Sequence, residues 1–142
     1  MGVKQFINET EQFARSADNV WEIVGDTAGV ADWLPAVEKC WMEGDVRVLE
    51  LAGGSGQAKE RITEVNSNER YYTYEMVEGP AAGKSFTGRF AVVKVDGGAQ
   101  IDWTAVFVAG SAEEGAALKA AVAGMYRGGL DNLRAKLAES GN

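Results

Sequence analysis

The side chains able to do chemistry are few in this sequence. The chain has no histidine, which excludes His-dependent triads, His metal sites and His general bases. Proton transfer or polar recognition falls to Glu, Asp, Lys, Arg, Tyr, Ser or the single cysteine, Cys40. That is a poor inventory for a hydrolase. Cys40 has no imidazole to activate it and reads as a small buried hydrophobe. No D-x-D-x-D-G spacing offers a calcium loop, and neither a metal nor another cofactor is expected. The stretch LAGGSGQAKER, residues 51–61, comes nearest to a motif. Phosphate loops lead into a helix, whereas this one leads into the strand-like QAKERITEV, and G-x-x-x-x-G-K-[ST] is absent around it. What remains is Glu60, a carboxylate in a strand, with Tyr72 and Tyr74 on the next apolar run. Glu60 and Tyr74 are the candidate acid or base, should the chain catalyse a reaction.

The elements that must position these residues follow from periodicity and punctuation. Residues 3–13 alternate loosely, as a first strand with Val3, Phe6 and Phe13 among its apolar members. SADNVWEIVGD reads as a short helix that Ser16 or Asp18 can cap, with Val20, Trp21, Ile23 and Val24 on its apolar side. TAGVADWLP makes a second short helical piece, ended by Pro35. From Val37 to Ala109 the runs VEKCWMEG, VRVLELA, QAKERITEV, RYYTYEMVEG, GKSFTGRFAVVKV and AQIDWTAVFVA read as consecutive strands. Gly-, Asn- and Asp-rich turns join them, so the sheet is an antiparallel meander. Ser111 and Glu114 then form a capping box before a long helix that runs to about Leu137. Leu118, Val122, Met125, Leu130, Leu133 and Leu137 mark its apolar side. The order predicts an α+β fold, with residues 1–142 as a single domain.

Hairpin arithmetic sets which side chains share a face. A two-residue turn at Gly53-Gly54 pairs Leu51 with Gly56, Leu49 with Ala58 and Arg47 with Glu60, and opposed residues point to the same side. Leu49 and Leu51 belong in the core, so Arg47 and Glu60 are expected to face inward with them. A turn at Asp96-Gly97 pairs Val92 with Ile101, Phe90 with Trp103, Gly88 with Ala105 and Phe86 with Phe107. Every large apolar residue of that pair then falls on one face; a one-residue slip would expose them all. Tyr72, Tyr74 and Met76 join the inward set. The terminal helix, GAALKAAVAGMYRGGLDNL, carries Ala117, Ala121, Gly124, Gly128 and Gly129. These small residues either let it approach the sheet closely or leave a cavity beneath it.

Composition narrows the partners. Hydrophobic residues make up 46% of the 142 residues and charged ones 25%, as in a folded globular chain. The 21 acidic and 14 basic residues give a net charge of -7, which disfavours nucleic acid and anionic lipid. No run approaches the length of a membrane span and no signal-peptide core is visible, so no membrane insertion is expected and a cytoplasmic location is.

The order of elements, together with SADNVWEIVGDTAGVADWLPAVEKC, AKERITEV, RYYTYEMVEG, DWTAVF and YRGGLDNL, resembles the START-like, Bet v 1-like superfamily (SRPBCC). The likeness is to its bacterial polyketide cyclase/dehydrase-type branch, and it covers essentially the whole chain. The resemblance implies a helix-grip fold: a curved seven-stranded antiparallel sheet wrapped around the long C-terminal helix, with two short helices after the first strand. It implies a deep apolar pocket between sheet and helix for a small apolar or amphipathic ligand of lipid, polyketide or aromatic type. Alternatives are a cyclase/aromatase- or dehydratase-type enzyme and a ligand-responsive protein-interaction module, as monomer or homodimer. By likeness to distant plant hormone receptors, Glu60 of Glu60-Arg61-Ile62 lines the pocket, and the loops Ala52 to Gly56 and Glu78 to Lys84 frame its mouth. Ala121, Met125 and Gly129 then face the ligand from the helix. The expected lining is therefore Arg47, Leu49, Leu51, Ala58, Glu60 and Ile62, then Tyr72, Tyr74 and Met76. Phe86, Gly88, Phe90, Trp103, Ala105 and Phe107 complete the sheet side.

Overall fold

A computed structural model describes residues 2–139. Strand β1 (Val3–Phe13) is followed by helix α1 (Ala17–Val24) and a 3₁₀ segment (Thr27–Asp32). Then come β2 (Val37–Glu43), β3 (Val46–Leu51), β4 (Gln57–Asn66), β5 (Tyr71–Glu78), β6 (Thr87–Val95) and β7 (Gly98–Ala109), and α2 (Ala112–Glu139) ends the described chain. All strands pair antiparallel in one seven-stranded sheet of order β1-β7-β6-β5-β4-β3-β2. The long helix packs on its inner face, and the α+β architecture expected from sequence is present.

The strands bend where one gains a residue on its neighbour. Register slips between Val37 and Lys39 in β2, and between Ile62 and Glu64 in β4. Such bulges kink a strand and deepen its twist, which curls the β2–β5 half of the sheet. Alternation does the sorting: along β7, Ala99, Ile101, Trp103, Ala105, Phe107 and Ala109 are all buried. In β1 the inward residues are Ile7 and Phe13, while Phe6 faces out and is 61% exposed.

Both hairpin registers hold. Arg47 opposes Glu60 and Leu49 opposes Ala58; Gly88 opposes Ala105, Phe90 opposes Trp103 and Val92 opposes Ile101. Two local expectations need correction. The tip after β3 is not a two-residue turn but a 3₁₀ segment, Ala52–Gly54, with Gly53 and Gly54 left-handed at φ 71° and 72°. Likewise β6 begins at Thr87, because Gly83 (φ 80°) and Ser85 (φ 54°) are left-handed and cannot extend a strand.

Helix α2 starts where its cap dictates. Ser111 Oγ accepts from the Glu114 amide at 3.1 Å, and Glu114 Oε1 accepts from the Gly110 amide at 2.8 Å. Its C-terminal half is clamped: Arg127 donates to Glu11 (2.6 Å) and to the Thr10 carbonyl (2.9 Å) on β1, Arg134 also pairs with Glu11, and Asn132 donates to the Trp33 carbonyl at 2.8 Å. Leu130 and Leu133 are buried beneath that clamp. The N-terminal half turns Leu118, Ala121, Val122 and Met125 toward the sheet, and a cavity remains beneath them.

Candidate functional site

Arg47 on β3 and Glu60 on β4 are direct cross-strand partners, buried to 2% and 7% exposure. An ion pair in an apolar interior persists only when its remaining donors and acceptors are met. Arg47 Nε and Nη2 both donate to Glu60 Oε1, at 3.1 and 2.7 Å. Its Nη1 donates to the Thr27 carbonyl at 2.9 Å and to the Tyr72 hydroxyl at 3.0 Å. The guanidinium also stands 5.2 Å from the ring centroids of both Tyr72 and Tyr74. Burial disfavours its charge, but the Tyr72 oxygen and the Glu60 carboxylate outweigh that, so Arg47 holds its proton more tightly than usual. Glu60 is served on one side only: both Arg47 bonds reach Oε1, and Oε2 takes none among the described residues and is not sealed from solvent.

A second polar group lies deeper under the helix. The Tyr74 and Tyr126 hydroxyls are 2.6 Å apart, and Trp103 Nε1 donates to Tyr74 at 2.9 Å. Tyr126 stacks on Trp103 with centroids 3.9 Å apart and planes at 9°. Burial pushes both phenols well above the usual tyrosine range, aided at Tyr74 by the Glu60 charge and at Tyr126 by Tyr74. Near neutral pH they stay protonated and serve as hydrogen-bond donors, not bases. Burial also raises the Cys40 thiol to about 11, against the opposing pull of Arg47, so this cysteine is no nucleophile at pH 7.

Arg47, Glu60, Tyr74, Trp103 and Tyr126 share the wall of a mainly apolar cavity of about 160 Å³. Of the residues expected from sequence, Arg47, Leu49, Leu51, Ala58, Glu60, Tyr74, Met76, Trp103, Ala121 and Met125 line it. The others do not reach the wall, for reasons visible in their packing. Tyr72 stacks on Phe90 at 5.5 Å, and Phe90 meets the edge of Trp103 at 5.1 Å, so the two aromatics consolidate the core behind the cavity. Phe86 and Phe107 stack on each other at 6.0 Å. Gly88, opposite Ala105, is the floor on which Tyr74 lies: a Cβ there would fall 2.3 Å from Tyr74 Cζ. Ile62 is half-buried opposite Tyr74 on the neighbouring strand. Gly129 opens no space, because Leu34 Cδ1 would lie 2.5 Å from a Cβ at that position.

Sequence reasoning missed part of the wall: Val30, Leu34 and Val37 from the segment after α1, Pro80 from the β5–β6 loop, and Leu118, Val122 and Tyr126 from α2. Tyr126 is the consequential omission. Its signal was present, since Leu118, Val122, Tyr126 and Leu130 recur every fourth residue along one helix face. Among the described residues no three His, Cys, Asp or Glu side chains cluster as metal ligands. No described helix is long and apolar enough to cross a membrane.

Solved structures repeat this architecture. An uncharacterised protein from Bacillus thuringiensis is 26% identical, with a TM-score of 0.82 over 93% of this chain and 98% of its own. The protein XoxI from Bacillus cereus is 22% identical, with a TM-score of 0.87 over 96% of this chain and 98% of its own. The Zhui aromatase/cyclase from Streptomyces sp. R1128 is 24% identical, with a TM-score of 0.78 over 94% and 93% of the two chains. No curated protein matches the sequence. The family model for polyketide cyclase/dehydrase and lipid transport proteins spans residues 5–138, nearly the whole chain that builds the sheet, the helix and the cavity between them, and the chain belongs to that family.

Proposed function

We propose that this protein binds a small apolar or amphipathic molecule in the cavity between sheet and α2. The observation that carries this reading is the cavity of about 160 Å³ whose mainly apolar wall contains a buried, one-sidedly satisfied carboxylate, Glu60. Binding sites of small molecules combine such a wall with a few fixed polar groups. The volume sets the scale: a dry apolar cavity of about 150 Å³ admits benzene, so the buried part of the ligand is about one ring in size. A long lipid or a multi-ring polyketide enters only if the mouth loops and the N-terminal half of α2 move apart.

A second reading has its own support. The same free oxygen of Glu60 can accept a proton from a bound molecule, with Arg47 holding the carboxylate in place, which would make the protein a cyclase- or dehydratase-type catalyst. The high phenol pKa values argue against tyrosine as its base. The Zhui structure shows that a protein of this fold is an aromatase/cyclase.

The binding reading is checked with methyl-labelled methionine. Met76 and Met125 line the cavity and Met42 does not. Titration with toluene is expected to shift the methyl resonances of Met76 and Met125 and to leave Met42 in place. Uniform small shifts of all three would mean surface association and would overturn the reading.

A further inference from the structure

The two polar groups of the cavity can be counted proton by proton, and the count is unbalanced. Trp103 donates its indole N–H to Tyr74. The contact between the Tyr74 and Tyr126 hydroxyls uses one O–H, whichever residue donates. Indole nitrogen accepts nothing, so the other phenolic O–H has no acceptor among the described residues. Glu60 has the opposite deficit: Oε1 takes both Arg47 bonds, and Oε2 takes none among the described residues. No hydrogen bond joins either hydroxyl to Glu60 in that set. Both tyrosines and Glu60 line the same cavity. Arg47 directs four of its five N–H groups at Glu60, the Thr27 carbonyl and Tyr72, and its second Nη2 N–H meets no acceptor among the described residues. The wall thus holds one unused acceptor, Glu60 Oε2, and two unused donors, that N–H and the phenolic O–H, in an apolar, ring-sized space.

From this count we propose that the ligand is a ring-sized apolar molecule bearing a hydroxyl, a phenol or an alcohol, which donates to Glu60 Oε2 and accepts from the Tyr74–Tyr126 pair. The proposal rests on the cavity-binding reading above and adds the chemistry of the head group. Other head groups leave a deficit. A hydrocarbon satisfies neither group, and unmet buried polar atoms are costly. A carboxylate can accept from both donors, but it donates nothing to Glu60 Oε2 and brings a second negative charge beside it. An ammonium answers Glu60 but gives the phenol nothing to donate to, and it sits near the Arg47 cation. A hydroxyl donates to the unused acceptor and accepts from the unused donors at one atom.

Calorimetric titration of the intact protein with toluene, phenol and benzoate tests this directly. Phenol is expected to bind at least about tenfold more tightly than toluene, the worth of one hydrogen bond to a charged acceptor, and benzoate more weakly than either. In Glu60→Gln the amide oxygen still accepts from Arg47 and the amide N–H₂ replaces Oε2, so the acceptor becomes a donor. Phenol should then lose its advantage over toluene, and benzaldehyde, which only accepts, should gain over phenol. Equal affinity of the wild type for phenol and toluene, or tightest binding of benzoate, would overturn the hydroxyl proposal and leave the cavity reading standing. Failure of toluene, phenol and benzoate alike to bind would overturn both.

Discussion

Arg47 and Glu60 are tolerable in the interior only as a pair. Each of the charged groups, taken alone, would carry a desolvation cost of several kcal/mol, and their mutual contact with the Thr27 carbonyl and the Tyr72 hydroxyl offsets it. Removing one partner is therefore more harmful than removing both. Arg47→Met, which keeps an unbranched apolar side chain but strips both donors from Glu60 Oε1, is expected to cost about 3–5 kcal/mol of stability by urea denaturation at pH 7. A loss below about 1 kcal/mol would mean that the carboxylate is hydrated and the pair is not structural. The inward aim of these two residues was legible in the sequence, since hairpin pairing copied the orientation of Leu49 and Ala58 to Arg47 and Glu60. Which oxygen of Glu60 stays free was not. That depends on the angle at which the guanidinium arrives, which the Thr27 carbonyl and the Tyr72 hydroxyl set from elsewhere in the chain.

Between elements, the decisive contacts are those of small residues. Gly88 on β6 lets the Tyr74 ring lie flat against the sheet, and this places its hydroxyl between Trp103 and Tyr126. Gly88→Ala puts a methyl 2.3 Å from Tyr74 Cζ. The ring must tilt into the cavity, with an expected loss of about 1–3 kcal/mol in urea denaturation and weaker binding of toluene. Unchanged stability together with unchanged binding would show that the Tyr74 position is not set by Gly88. Alternation and hairpin turns carried the strand faces from sequence to structure, yet they say which side a residue takes and not how deep it sits. Phe86, Phe90 and Phe107 face inward as expected, but their rings fill the core instead of bordering the space. The small residues of α2 behave unlike one another for the same reason. Gly129 receives Leu34 and Ala121 borders the cavity, while Gly124 and Gly128 face outward. Tyr126 shares the face of Val122 and Leu130 at helical spacing, and only its stacking on Trp103 brings its hydroxyl to the cavity wall.

The whole molecule is a half-closed grip. Arg127, Arg134 and Asn132 fasten the C-terminal half of α2 to β1 and to the Trp33 backbone, while the alanine-rich N-terminal half covers the curled end of the sheet. The C-terminal half supplies packed core, and the N-terminal half, tied to Lys84 through Glu114, roofs the cavity with Leu118, Ala121, Val122 and Met125. The family model and the solved structures share this frame. The most direct test is a crystal structure of the protein with phenol. The ring is expected between Met76, Met125 and Leu49, with its oxygen in hydrogen-bond contact with Glu60 Oε2 and with a hydroxyl of the Tyr74–Tyr126 pair. Phenol found only on the surface, or in the cavity with its oxygen turned away from Glu60, would contradict it.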